Sequence, residues 1–180
     1  MEDEPEISIR PYRVEDAPAL HEAALSSVAE MNTFMPWCHP ERKLEETRSW
    51  IEAQVRAFQE LTAYEHAIVN GAGDYLGGCG LNRIDSFYRH ANLGYWVRSS
   101  ATRRGVATAA IGQLVAWGFE NTDLIRLEVI VSTKNIPSLR TAEKAGAVRE
   151  GTLRDRLLLH GTAHDAAVFS FVRRDWERRS

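Results

Sequence analysis

The segment that most constrains this chain passes from an apolar strand-like stretch into two arginines, a glycine and a long helical pattern. The apolar residues end at Val97, and Arg103, Arg104 and Gly105 precede a helical repeat that continues to Asn121. The first backbone N–H groups of a helix have no partner within the helix, and the helix dipole favours negative charge there. A glycine lets the backbone approach a ligand closely, and arginines add charge-assisted hydrogen bonds. The segment therefore predicts a site for an anion such as a pyrophosphate.

The composition is that of an ordinary folded protein. The 180 residues are 44% hydrophobic and 26% charged, which predicts one domain spanning residues 1–180. The net charge of −3 gives no electrostatic case for DNA or for an anionic membrane. No apolar run approaches the roughly 20 residues of a membrane span. Cys38 and Cys79 have neither metal-site spacing nor a disulfide framework, so we expect no metal and a cytoplasmic location.

Hydrophobic periodicity predicts a β-α-α-β-β-β-α-β-α-β-β order of elements. The predicted strands cover residues 7–12, 64–70, 75–84, 92–98, 126–132, 148–159 and 163–172. The predicted helices cover residues 16–31, 45–61, 105–121 and 135–145. A mostly antiparallel order with one β-α-β crossover is typical of a mixed α/β (α+β) domain.

Two motifs of this chain, taken together, resemble those of a known family. Gly94-Tyr95-Trp96-Val97 followed by Arg103-Arg104-Gly105-Val106-Ala107 resembles the acetyl-CoA motif of the GNAT family of N-acetyltransferases. Asn135-Ile136-Pro137-Ser138 with Glu143-Lys144-Ala145-Gly146-Ala147 resembles the second cofactor motif of that family. The resemblance is to the ribosomal-protein N-terminal (Rim-type) branch in particular.

The resemblance implies the GNAT fold, in which a mixed sheet of about seven strands has a splayed central pair and about four helices, and it implies acetyl-CoA or CoA as the cofactor. The pantetheine arm of the family lies along the splayed strand, which implies that the backbone of Trp96, Val97 and Arg98 holds it. Asn135 is implied to contact the pantetheine amides. The diphosphate is assigned to the N–H groups of the segment that comprises Arg103, Arg104, Gly105, Val106, Ala107 and Thr108.

The chemistry implied is acetyl transfer to a primary amine by direct attack in a ternary complex, with Ser138 protonating the departing sulfur. The proton acceptor is left open. Rim-type sequences often carry glutamate where Asn92 stands, and asparagine is not a base near neutral pH. The candidates are His90, with a reference pKa of about 6.5, Asp85, water held by Asn92, or another group such as Glu128. Trp37 and Asp85 are expected to line the acceptor groove.

Three functions stay open at this point. The acceptor is a protein N-terminal α-amine, as the Rim-type resemblance implies, or a small amine such as a polyamine, an aminoglycoside or an amino-acid-like metabolite. Asn92 in place of glutamate also motivates a third reading, a catalytically silent CoA-binding module. The run Leu157-Leu158-Leu159 is too apolar for an unprotected hairpin and favours a homodimer contact there.

Overall fold

A computed structural model describes residues 6–179, in which a seven-stranded mixed sheet carries helices on both faces. The strands are Ile7–Pro11 (β1), Tyr64–Asn70 (β2), Tyr75–Asp85 (β3), His90–Val97 (β4), Arg126–Ser132 (β5), Val148–Leu159 (β6) and Thr162–Val172 (β7). They lie in the order β1-β2-β3-β4-β5-β7-β6, and β4 with β5 is the parallel pair among antiparallel ones. The mixed, mostly antiparallel sheet predicted from the sequence is confirmed.

The helices are Ala17–Leu25 (α1), Val28–Met31 (α2), Leu44–Gln59 (α3), Val106–Asn121 (α4), Ile136–Lys144 (α5) and Arg173–Glu177 (α6). The four longer ones correspond to the four predicted helices. Within residues 6–179, no helix has the length and apolarity that a membrane crossing requires.

The continuous helix predicted over residues 16–31 is wrong, because the chain breaks between α1 and α2. The buried Ser27 hydroxyl donates to the carbonyl of Ala23 at 2.7 Å and accepts from the backbone N–H of Ser99 at 3.0 Å. A serine hydroxyl that bonds backbone groups competes with the regular helical ladder. At this break, Ser27 links the α1–α2 segment to Ser99, just after β4. Helical periodicity does not report such a contact between distant parts of the chain.

The two central strands separate part-way along the sheet. β4 pairs with β5 at three positions only, of which Asn92 with Glu128 is the last. Beyond Asn92, β4 stays paired with β3 as far as Val97, while β5 stays paired with β7 as far as Ser132. This gap is the splayed pair that the resemblance implied.

Each face of the sheet has its own core. One face, called here the α4 face, packs Leu93 and Leu127 against α4 residues such as Leu114. The opposite face, called here the α3 face, packs against α1 and α3 through residues such as Leu20 and Ile51. Because side chains alternate along a strand, Tyr95 of β4 lies on the α4 face, whereas Gly94 and Trp96 lie on the α3 face.

His66 makes the stability of this fold sensitive to pH. Its ring is 1% exposed and packs against Trp117, with ring centroids 4.8 Å apart. Nδ1 donates to the carbonyl of Tyr64 at 3.0 Å, and Nε2 is buried with no partner in the described chain. Burial lowers the pKa of His66 to about 4.

The unfolded chain takes up a proton at His66 near pH 6.5, whereas the folded chain resists protonation until about pH 4. The stability from the neutral ring is therefore complete above pH 6.5 and falls as the pH falls. We expect a loss of about 3 kcal/mol between pH 7.5 and pH 4 from this group. Urea unfolding of the wild type and of His66→Phe across this range isolates the contribution, and parallel pH dependence in the two proteins would contradict it.

Candidate active site

A cavity of about 580 Å³ opens where β4 and β5 separate, between the end of β4 and the starts of α4 and α5. We call it the donor cavity. Most of the residues predicted to bind the cofactor line it, namely Trp96, Val97, Arg103, Gly105, Val106, Ala107, Thr108, Asn135 and Ser138. The two motifs lie on different helices, and the separation of β4 from β5 brings them to one cavity.

The start of α4 is shaped as a cradle for an anion. Arg103 and Gly105 have φ angles of 62° and 76°, in the left-handed region that glycine adopts easily. In the described chain no side chain caps α4, so the N–H groups of its first turn, from Val106 to Thr108, have no acceptor in the helix. These donors and the helix dipole fit the diphosphate of a coenzyme A.

Three cationic side chains line the donor cavity. Arg103 was predicted to bind the cofactor, and Arg140 and Lys144 come from the middle and the end of α5. Arg140 and Lys144 are four residues apart on a helix and so share one face of α5. Their charges complement those of phosphate groups.

Arg98 and Arg104, both predicted to bind the cofactor, line a separate cavity. The N–H of Arg98 donates to the carbonyl of Leu76 on β3 at 2.8 Å, and its guanidinium pairs with Glu22 at 2.8 Å. Strand residues alternate in the side to which their backbone groups point. Arg98 and Trp96 therefore direct these groups towards β3, and Val97 directs them into the strand gap.

A hydroxyl pair lies beside the gap on the α4 face. Tyr95 Oη is 2.9 Å from Ser138 Oγ and donates to the carbonyl of Ser138 at 3.0 Å. Ser138 is held in the first turn of α5 because its N–H donates to Asn135 Oδ1 at 3.2 Å, so Asn135 acts as the N-cap of that helix. Burial raises the pKa of Tyr95, which keeps the phenol protonated.

A second cavity, of about 260 Å³, lies on the α3 face and is called here the acceptor cavity. Its walls are mostly aromatic. Trp37 lines it and meets Trp96 edge-on with ring centroids 5.4 Å apart, while Tyr12 meets Trp50 in the same way. The guanidinium of Arg42 lies 5.3 Å from the Trp37 ring centroid. An apolar ligand group with few charges fits such walls.

Glu65 on β2 supplies the floor of the acceptor cavity and was missed by the sequence analysis. Its carboxylate lies directly over β3, where a Cβ on Gly80 would be 2.0 Å from Glu65 Oε2. Only glycine at position 80 leaves room for this side chain. Burial raises the pKa of Glu65, although the hydrogen bond from Asn82 opposes the shift.

An amide pair connects this carboxylate to β4. Asn82 Nδ2 donates to Glu65 Oε1 at 2.8 Å, and Asn92 Nδ2 donates to Asn82 Oδ1 at 3.0 Å. Asn92 therefore holds the Asn82 side chain in the orientation in which it donates to Glu65, and all three residues lie on the same face of the sheet.

The structure brings neither His90 nor Asp85 to the two cavities. Asp85 Oδ1 accepts the N–H groups of Phe87 and Tyr88 at 2.9 and 2.8 Å and so closes the turn between β3 and β4. The His90 ring stacks on Tyr88. Asp85 ends β3 opposite His90, and His90 lies at the end of β4 that is still paired with β5, away from the gap.

Comparisons with known proteins agree with this fold. A family model described as an acetyltransferase (GNAT) domain matches residues 6–148. A Bacillus subtilis protein named "Putative ribosomal N-acetyltransferase YdaF" is 27% identical over 172 residues, which are 95% of this chain and 93% of that protein. The ribosomal-protein-serine acetyltransferase of Escherichia coli is 24% identical over 128 residues, 71% of each chain.

Among solved structures, RimL, a ribosomal L7/L12 alpha-N-protein acetyltransferase in complex with coenzyme A, superposes with a TM-score of 0.86. The match covers 93% of this chain and 94% of that one at 22% identity, so it concerns the fold.

Proposed function

The chain belongs to the GNAT family of N-acetyltransferases, and we propose that it transfers the acetyl group of acetyl-CoA directly to the N-terminal α-amine of a protein. One observation carries the direct route: Met35, Tyr95 and Trp96 line both the donor cavity and the acceptor cavity. Cavities that share a wall at the strand gap can hold both substrates at once. Such placement converts the reaction into an effectively unimolecular step.

The cysteines support direct attack rather than a covalent acetyl-enzyme. Burial raises the pKa of the Cys79 thiol, which therefore stays protonated and a poor nucleophile. Cys38 is buried as well, and its thiol donates to the carbonyl of Ala24 at 3.2 Å.

The donor supplies an activated thioester carbonyl, and this chain's residues hold it and move protons around it. The first turn of α4 binds the diphosphate with its free N–H groups. Val97 offers backbone groups to the pantetheine arm at the unpaired edge of β4. Ser138, positioned by Tyr95, gives its hydroxyl proton to the leaving sulfur.

The acceptor cavity supports a single amine attached to an apolar residue. Glu65 is its one carboxylate within residues 6–179, and Arg42 adds a positive charge. A polyamine or an aminoglycoside carries several ammonium groups, which this balance of charge disfavours. The first residue of a polypeptide fits, and several relatives bear the names of ribosomal-protein acetyltransferases.

The test is a panel of amines with purified protein and acetyl-CoA, read by thiol release and by mass spectrometry. The panel holds peptides with free N-termini, the same peptides with blocked N-termini and a lysine, spermidine, and an aminoglycoside. We expect one acetyl group on the free N-termini alone. Transfer only to small amines, or CoA binding without transfer to any amine, would overturn the proposal.

Initial-rate kinetics then test the direct route. Intersecting double-reciprocal lines, with no mass gain on the protein after acetyl-CoA alone, are expected. Parallel lines together with an acetylated protein would contradict a ternary complex.

A further inference from the structure

We propose that Glu65 binds the ammonium group of the acceptor and accepts its proton, so that a residue of β2 is the general base of this enzyme. The inference rests on the transfer reaction proposed above and adds to it the group that makes the amine nucleophilic. None of the residues that the sequence singled out for this task lines the acceptor cavity, whereas Glu65 does.

The row of strand residues that leads from Glu65 to β4 consists of glycines, flanked by the side chains of Asn82 and Asn92. Glu65 is paired across the sheet with Gly80, and Gly80 with Gly94 of β4. Both glycines line the same face, and Gly94 lines the acceptor cavity. Because Gly94 is two residues beyond Asn92, where the pairing of β4 with β5 ends, this row connects the Glu65 carboxylate with the start of the strand gap.

The carboxylate has one oxygen held and one available. Oε1 accepts from Asn82, while Oε2 has no donor among the described residues. An ammonium group can therefore bind Oε2 without displacing a protein partner. The reference pKa of an α-amine is about 7.7–8.0, and burial raises the pKa of Glu65 towards it. Proton transfer is most efficient between groups of similar pKa.

The other titratable groups around Glu65 keep one charge state through the neutral range. Burial raises the pKa of the Tyr12 and Tyr75 phenols, which hydrogen bond to each other at 2.7 Å, and of the Cys79 thiol. All three stay neutral. Arg42 remains positive and lies across the cavity on the Trp37 ring.

The rival carboxylates are engaged elsewhere. Glu128, next to Asn92 in the sheet, accepts from Arg126 Nε at 2.8 Å and does not line the acceptor cavity. Asp85 is occupied by the β3–β4 turn. Glu65 is therefore the carboxylate that an amine in this cavity can reach.

The proton balance of the step closes. The ammonium gives one proton to Glu65, the freed nitrogen forms the bond to the acetyl carbon, and the carbon–sulfur bond breaks with its electron pair on sulfur. The nitrogen releases its second proton as the amide forms, sulfur takes one from Ser138, and an equivalent of that second proton returns to the serine oxygen through Tyr95 and solvent. Glu65 then passes its proton to solvent and becomes a carboxylate again. The overall reaction thus yields one amide, one thiol and one proton.

The test compares wild type with Glu65→Gln, which keeps the shape and the acceptor for Asn82. At pH 7 we expect kcat/KM to fall about 100-fold, while the Kd for CoA, measured by calorimetry, changes less than about twofold. Because glutamine cannot accept the proton, the variant can acetylate only acceptor molecules whose amine is already neutral. Its deficit should therefore shrink to under about tenfold at pH 9.5, above the amine pKa of about 8. Wild-type activity should fall as the pH drops through the pKa of Glu65.

Glu128→Gln and Asp85→Asn are the matched controls, since each removes a nearby carboxylate that lies outside the cavity. Both are expected to keep the wild-type pH profile. A Glu65→Gln variant with wild-type kcat/KM, or one with a raised KM but unchanged kcat and pH profile, would overturn the proposal. Failure of the wild type to acetylate any peptide would instead refute the proposed function.

Asn82 serves as a positioning residue, and Asn82→Asp tests it. A carboxylate at the 2.8 Å contact would repel the charge on Glu65 and raise its pKa. The acidic limb of the pH profile should therefore move upward by about one pH unit or more. An unmoved limb would show that Glu65 is not the group that titrates.

Discussion

Ser138→Ala is expected to lower kcat about 100-fold while CoA still binds with wild-type affinity. Without the hydroxyl, the sulfur must leave as an unprotonated thiolate, stabilised only by water and by the N-terminus of α5. The N-cap contact from the Ser138 N–H to Asn135 is a backbone bond and survives the substitution. The loss should therefore appear in kcat, with little change in the Kd for CoA or in stability.

Tyr95→Phe tests the same proton path from the other side. The phenol is 2.9 Å from Ser138 Oγ and also bonds the Ser138 carbonyl, so its removal frees the serine hydroxyl to rotate away. We expect a similar loss of kcat. Because both groups act in one path, the double variant should lose little more than either single one.

The controls are Tyr64→Phe and Ser170→Ala, each of which removes a hydroxyl group from a buried residue that lines neither cavity. Turnover of both should stay near the wild-type value. Multiplicative losses in the double variant, or a Ser138→Ala enzyme with unchanged kcat, would refute a shared path.

The donor cavity was predictable because its determinants are local in sequence. Gly105 lies at a helix start, which the helical pattern reports, and Asn135 caps the helix three residues before Ser138 in the motif that the family resemblance assigned to the cofactor. The helical run of α4 and the alternation of β5 are likewise properties of single segments. Interactions within a segment are what periodicity measures.

The acceptor side was not predictable in the same way because it is assembled across three strands. Glu65, Asn82 and Asn92 come together through strand pairing, and no spacing along the chain signals their contact. One signal was available. Gly78 and Gly80 are two residues apart in β3 and therefore lie on the same face of the sheet. Glycines inside a strand often mark the close approach of another group.

Arg98, which the family resemblance assigned to the cofactor, and His90, chosen for its reference pKa, line neither of the two cavities. Arg98 follows the cofactor strand, but a backbone bond to β3 and the Glu22 ion pair direct it to the other side. His90 has a suitable reference pKa, but the strand places it where β4 and β5 are still paired.

Gly77→Ala is expected to destabilise the fold by about 3 kcal/mol and to weaken CoA binding with it. A Cβ at this position would be 2.2 Å from the carbonyl oxygen of Trp96 and 2.9 Å from Val97 Cα. These are backbone atoms of β4, which no side-chain rotation can move. The φ of 158° is also one that residues with a side chain rarely adopt. Because the clash falls on the strand that forms the donor cavity, stability and binding should fall together.

Gly112→Ala on the exposed side of α4 is the matched control, since an added Cβ there meets nothing within 4 Å. Alanine in a helix interior is favoured over glycine by roughly 0.5–1 kcal/mol, so this variant should be more stable than the wild type. Urea unfolding measures the free energy of unfolding of both variants, and calorimetry measures their Kd for CoA. A Gly77→Ala protein with wild-type stability would show that β3 can move away from β4, and that their close contact does not require glycine at this position.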